Sequence, residues 1–147
     1  MAMLLSGEEE FQNADMNKVI RMCLIHDLGE AFTGDVPAFD KNSSDEKKEE
    51  KLYDKWVESF PTAQKCEFQV LLDEMAEQKT VESKIYKALD KLEAVIQHNE
   101  SDILTWIPLE YDLQFTYGEE QVQFSPYLKE LKAVVDEWTK EKIKHGK

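Results

Sequence analysis

In the stretch MCLIHDLGEAF an imidazole and a carboxylate, His26 and Asp27, stand side by side inside the most apolar run of the chain. An unpaired carboxylate costs several kcal/mol to bury and persists in a core only when a partner or a metal ion satisfies it. Glu30 follows four residues after His26 and three after Asp27, spacings that put side chains on one side of a helix. One helical turn then offers an imidazole and two carboxylates, a set suited to holding a cation or moving a proton. Imidazole with carboxylate suits Mn, Fe, Co or Zn, and no thiolates stand at the spacing of a structural zinc site. Spacing alone leaves a second reading open, in which His26 and Asp27 are a buried pair that caps a neighbouring helix.

The pair has to be positioned by a helix running from Asp15 or Met16 to Phe32. Its apolar residues Val19, Ile20, Cys23, Leu24, Leu28 and Ala31 wrap most of its surface and predict a central place. Thr33, Gly34 and Asp35 end it, with Gly34 suited to a left-handed closing turn and Pro37 marking the exit. Asp35 thus falls in a loop just past the helix end. Ahead of this helix, MAMLL is apolar and uncapped and reads as the tail of a helix that begins upstream.

Further on, Ser43 and Glu46 are spaced as a capping box for a helix with Leu52, Tyr53, Trp56, Val57 and Phe60 on one face. Pro61 and Thr62 open another, with Val70, Leu71, Leu72 and Met75 inward. Thr80 caps a helix from about Val81 to His98, where Ile85, Leu89, Leu92 and Ile96 recur every three or four residues and which carries Asp90. From Asn99 to Ser125, Pro108, Gly118 and Pro126 punctuate an aromatic stretch that reads as short turns packed onto the body. A last amphipathic helix starts with Pro126 in its first turn and carries Leu128, Leu131, Val134, Val135, Trp138 and Ile143. The reading is an all-α bundle of about six helices.

Bulk properties narrow the function. A length of 147 residues suits one domain over residues 1–147, and 41% apolar with 33% charged residues and only 5 Gly and 4 Pro favours packed, solvated helices. Cys23 and Cys66 lie far apart in apolar stretches with no CxxC partner, so they read as buried free thiols in a reducing compartment. The start lacks a cationic segment, and no apolar run approaches the roughly 20 residues of a membrane span, which predicts a cytoplasmic protein. A net charge of −13, with Arg21 the only arginine, argues against duplex nucleic acid and anionic membranes. A phosphate ester would need its positive charge from a metal ion and a few lysines, which favours small substrates. Trp56, Trp106 and Trp138 read as core or dimer-interface residues rather than substrate platforms.

Two segments carry a family resemblance. MCLIHDLGEAFTGDVPAFD resembles the signature of the HD-domain phosphohydrolases, in the branch that contains the 5′-deoxynucleotidases, and KIYKALDKLEAVIQ resembles the later helix that supplies that family's last aspartate. Both match in order and in approximate separation. The resemblance implies an HD-domain helical bundle in which His26, Asp27, Asp90 and an upstream histidine hold one divalent metal ion, one of Mn, Co, Fe, Ni or Zn. It further implies that Glu30 is the acid/base carboxylate of an HDxxE turn and Asp35 the carboxylate of a GD loop beside the substrate. The implied reaction is release of phosphate from deoxynucleoside 5′-monophosphates by a metal-activated water. Lys87, three residues before Asp90, is then the first candidate to neutralise a phosphate oxygen, and Lys84 the second. The implied partner is a small-molecule nucleotide, and the implied assembly a homodimer. Another nucleotide substrate, or a metal-free scaffold on the same bundle, are the competing readings.

One position departs from the family pattern, because no histidine precedes His26. His98 stands eight residues after Asp90, roughly 12 Å along a helix and too far to share its metal, and His145 lies in a Lys-rich tail. The resemblance therefore places the first histidine, and an arginine that contacts the substrate phosphate, before Met1.

Overall fold

The computed structural model describes residues 1–34 and 43–146, apart from the side chains of residues 43, 45 and 46. Asp35 and Pro37 lie outside the described residues, as do the side chains that would form the Ser43–Glu46 capping box. Helices α1 (Ala2–Leu5), α2 (Met16–Ile25), α3 (Glu30–Thr33), α4 (Ser43–Val57), α5 (Thr62–Glu77), α6 (Val81–Glu100), α7 (Pro108–Thr116) and α8 (Pro126–His145) are joined by loops and two 3-10 turns, Glu9–Phe11 and Ile103–Thr105. No strand occurs among the described residues. The fold is all-α, and no helix among the described residues is long and apolar enough to cross a membrane.

Helix starts follow local chemistry. The Thr80 hydroxyl accepts the Ser83 N–H at 3.2 Å at the head of α6, and Asp15 accepts the Lys18 N–H at 3.1 Å at the head of α2. The Asp15 N–H in turn donates to Glu82 at 2.9 Å, tying those two helix starts together. Such caps satisfy backbone donors that an isolated helix end leaves unpaired.

Helix α6 lies at the middle of the bundle, packed by α2, α5 and α8, while α1 covers α2, α3 covers α4, and α7 covers α8. Its buried row Ile85, Ala88, Leu89 and Leu92 joins Val19 and Met22 of α2, Leu71 and Met75 of α5 and Leu128 of α8 in one core. Each large apolar side chain in it contributes about 1.5–3 kcal/mol. Helix α2, which leads to His26 and packs against α1, α5 and α6, shares that core with α6.

The helix expected from residue 15 to 32 is broken. It stops at Ile25, residues 26–29 form a turn, and α3 begins at Glu30. Three-residue steps replace the four-residue ladder there, as in Leu28 N–H to Ile25 C=O at 3.3 Å and Glu30 N–H to Asp27 C=O at 3.0 Å. The cause is tertiary. The Ile25 carbonyl also accepts the buried Tyr53 hydroxyl at 2.7 Å, and Gly29 lies so close to α4 that a Cβ there would meet Glu49 at 2.9 Å and the Tyr53 ring at 3.4 Å. Beyond the break Leu28 and Ala31 are exposed rather than inward, and Leu24, still within α2, is exposed as well.

Two other faces also differ from the apolar pattern. Val70 of α5 is exposed. On α8, Val134 and Trp138 are exposed, whereas Lys132 and Thr139 face inward with polar partners: Lys132 donates to the Phe115 carbonyl at 3.1 Å, and Thr139 accepts from Asn99 at 2.9 Å. A helix, α7, stands where turns were expected; Pro108 opens it, and the Glu110 carboxylate accepts the Ile107 N–H at 2.7 Å. Cys66 is exposed and Cys23 half-buried, so the expectation of two buried thiols fails at Cys66.

Candidate functional site

His26 sits at the C-cap of α2, where its ring is fixed by its own helix. Its Nδ1–H donates to the Cys23 carbonyl at 2.9 Å, which turns Nε2 toward the carboxylates. Nε2 lies 2.8 Å from Asp27 Oδ2 and 3.5 Å from Asp90 Oδ1. The edge of the ring packs on Tyr86, with centroids 5.5 Å apart. Packing of α2 on α6 thereby brings together residues that are 64 positions apart in the chain.

Asp90 is the junction of the site. Besides His26, its Oδ2 meets Lys87 Nζ at 2.9 Å and Lys91 Nζ at 3.4 Å. Burial alone would raise the Asp90 pKa, but the hydrogen bond from His26 and the positive charges of Lys87 and Lys91 hold it well below the usual carboxylate range. Burial works against the charge on His26, yet hydrogen bonds to Asp27 and Asp90 and their negative charges prevail and raise its pKa to about 10. Burial, aided by the charge of Asp90, pushes the Cys23 thiol up.

Exposure distinguishes the two aspartates. The side chains of His26 and Asp90 are each 20% exposed, whereas that of Asp27 is 60% exposed. The expectation that Asp27 carries a burial penalty is therefore corrected. The penalty falls on Asp90 and His26, and Asp27 reaches in from the solvent side.

These groups line one open cleft of about 1380 Å³, together with Glu30, Glu49, Cys23, Lys87 and Lys91. The cleft continues along α6 to His98 and Glu110. Glu30 thus shares a wall with His26 and Asp27 despite the break between α2 and α3. Lys84 is exposed on α6 and is not part of the cleft wall. His98 stacks on buried Trp106 with centroids 4.4 Å apart and faces Glu110 at 3.5 Å, and His145 faces Glu141 at 3.0 Å. Trp56 belongs to a cluster with Phe32, Tyr53, Phe60 and Phe68. Lys91 and Tyr117, whose hydroxyl takes the Lys91 ammonium at 2.8 Å, escaped sequence reasoning. Lys91 is adjacent to Asp90 rather than three or four residues away, and Tyr117 lies in the stretch with no periodicity.

The donor set of His26, Asp27 and Asp90 has the chemistry of a divalent transition-metal site, and the anchored Nδ1–H is the outer contact that such histidine ligands use to fix their orientation. Among the described residues no group of three or more His, Cys, Asp or Glu side chains surrounds a point where a metal ion could sit. The imidazole nitrogen itself stands between the two carboxylates. The residue types fit a metal ion, with Asp27 the most exposed donor and so the one with most room to adjust.

Comparison with known proteins gives consistent results. Residues 1–132 match the family described as HD domain. The 5′-deoxynucleotidase HDDC2 of Xenopus laevis is 32% identical over 99 residues, 66% of this chain and 47% of its own length. The HDDC2 protein of Bos taurus is 30% identical over 104 residues, 69% of this chain and 50% of its own. The 5′-deoxynucleotidase YGK1 of Saccharomyces cerevisiae is 27% identical over 135 residues, 87% of this chain and 58% of its own. The chain spans about half the length of the curated relatives it matches. No solved structure gives a significant match.

Proposed function

We propose that this chain, which belongs to the HD-domain family, carries the metal-binding centre of a phosphohydrolase that releases phosphate from deoxynucleoside 5′-monophosphates. The observation that carries the reading is the imidazole of His26, anchored through Nδ1 to the Cys23 carbonyl and held between Asp27 and Asp90 in an open cleft. The substrate class comes from relatives named 5′-deoxynucleotidase.

In this reading His26, Asp27 and Asp90 hold a divalent ion of the series Mn, Co, Fe, Ni and Zn. Bound there, the ion supplies a water of lowered pKa and polarises a phosphoryl oxygen. Glu30, on the same cleft wall, takes up the proton of the attacking water at its carboxylate. The family resemblance assigns Asp35, next in the chain after Gly34, to the carboxylate beside the substrate. Lys87 supplies positive charge to the phosphate. The net charge of −13 keeps polymeric nucleic acid away while leaving room for a small anion met by local lysines.

Asp27→Ala is the cleanest test, because a side chain 60% exposed can be removed with little cost to the fold. Phosphate release from deoxynucleoside 5′-monophosphates, stimulated by Mn or Co in the parent chain, is expected to fall by about 100-fold or more. Undiminished, metal-stimulated release by the variant would overturn the assignment.

A further inference from the structure

An acidic chain that handles a phosphate ester has to place its few cations deliberately. Arg21 is the only arginine; it pairs with Glu67 and is not part of the cleft wall. Among the described residues the lysines on that wall are Lys87 and Lys91.

Both ammonium groups meet the same oxygen of Asp90, at 2.9 Å and 3.4 Å. Asp90 also faces His26, so the carboxylate is already answered without Lys91. An ammonium carries three donors, and Lys91 directs one to the Tyr117 hydroxyl at 2.8 Å while lying 4.8 Å from the centre of that ring. Tyr117 ends α7, and the backbone then turns at Gly118 with φ +78°, passing so close that a Cβ there would stand 3.0 Å from the Lys91 Cβ. The side chain of Lys91 is only 23% exposed. An exposed lysine forfeits rotamer freedom when it binds an anion, whereas this one is held in place beforehand, as electrostatic recognition favours.

We propose that Lys91, held by Tyr117, forms with Lys87 an anion subsite beside Asp90 that takes the phosphate group of the substrate. Lys91 binds, and Tyr117 is a positioning residue that acts through it. The proposal rests on the phosphohydrolase reading for the identity of the substrate, but the subsite itself is defined by its affinity for phosphate.

Two measurements on the full chain separate these levels. Steady-state kinetics with Mn and a deoxynucleoside 5′-monophosphate are compared for the parent, Lys91→Met, Lys91→Arg and Tyr117→Phe. NMR titration with inorganic phosphate is run on the same proteins in chelator, and thermal unfolding reports the fold. Lys91→Met is expected to raise KM and the phosphate Kd about tenfold with kcat within about threefold, Lys91→Arg to recover most of the loss, and Tyr117→Phe to weaken both about threefold. KM and Kd within about twofold of the parent in Lys91→Met would overturn the subsite and leave Lys91 as a neutraliser of Asp90. Should Lys91→Met not fold, Tyr117→Phe and Lys91→Arg decide by the same criterion. A parent chain that binds phosphate through Lys91 yet hydrolyses no nucleotide would refute the phosphohydrolase reading and keep the subsite; a parent that binds no phosphate would refute the subsite.

Discussion

Replacing Tyr53 by Phe removes a single hydroxyl from beneath the turn that carries His26 and Asp27. Tyr53 is 6% exposed, and its hydroxyl donates at 2.7 Å to the Ile25 carbonyl, the last of α2. That carbonyl also accepts the Leu28 N–H at 3.3 Å, so the substitution does not strip it of every partner. The ring stays packed, with its centroid 5.9 Å from that of Trp56. A net hydrogen-bond contribution of about 0.5–1.5 kcal/mol predicts a loss near 1 kcal/mol and a fall in Tm of about 2–4 °C. If the hydroxyl serves to aim the two site residues, that energy also appears in metal binding, as a weakening of up to about fivefold. Isothermal titration with Mn beside urea unfolding measures both. Unchanged metal affinity with the stability loss present would refute the idea that the Tyr53 hydroxyl aims the two site residues. A stability loss above about 3 kcal/mol would refute the sharing of the carbonyl with Leu28.

Substitutions at two further places test how the cleft wall is supported. Lys132, 1% exposed, donates to the carbonyls of Gln114 at 3.4 Å and Phe115 at 3.1 Å in the last turn of α7 and pairs with Asp136. Lys132→Met is expected to cost about 2–4 kcal/mol in urea unfolding, and adding Asp136→Leu to recover part of it, since the second change removes the orphaned carboxylate; a single-mutant cost below about 1 kcal/mol would contradict the assignment of Lys132 to the α7 terminus. Gly118→Ala places a Cβ at φ +78° and 3.0 Å from the Lys91 Cβ, with an expected cost of about 1–2 kcal/mol from backbone strain alone and a shift of the Lys91 ammonium signal in NMR; an unshifted signal would detach the turn from Lys91.

Where local chemistry decides, the sequence was readable. Thr80 caps α6 and its period of three to four buries Ile85, Leu89 and Leu92, both direct outcomes of side-chain type and spacing. The all-α class followed from the same periodicity. The end of α2 was not readable, because the groups that break it, Tyr53 and Glu49, lie on α4, more than 20 residues along the chain. The inward face of α8 was misread for a related reason: Lys132 and Thr139 are buried by partners on α7 and α6, and a polar residue with a distant partner looks like a surface residue in one dimension. At the site, His26, Asp27 and Glu30 stood out as a local pattern and Asp90 through family resemblance. Lys91 and Tyr117 became visible only when α7 was placed against α6.

The unequal exposure of the two aspartates decides which substitutions are informative. The sequence argument treated a carboxylate beside His26 as a buried charge in need of a partner, and in the structure that description belongs to Asp90, which is 20% exposed and answered by His26, Lys87 and Lys91. Removing Asp90 would leave an imidazole and two ammonium groups facing one another, so lost activity in such a variant would mix repulsion, altered packing and lost ligation. Asp27 contacts the same imidazole nitrogen at 2.8 Å from the solvent side, and its removal leaves the network of Asp90 with Lys87 and Lys91 in place. Two carboxylates on one imidazole are therefore unequal: Asp90 ties the site to the core through α6, and in the proposed reading Asp27 would be the ligand with freedom to move toward a cation. Metal affinity should accordingly depend on Asp27 far more than stability does, and that separation distinguishes a cation-binding site from a His–Asp pair whose role is to hold two helices together.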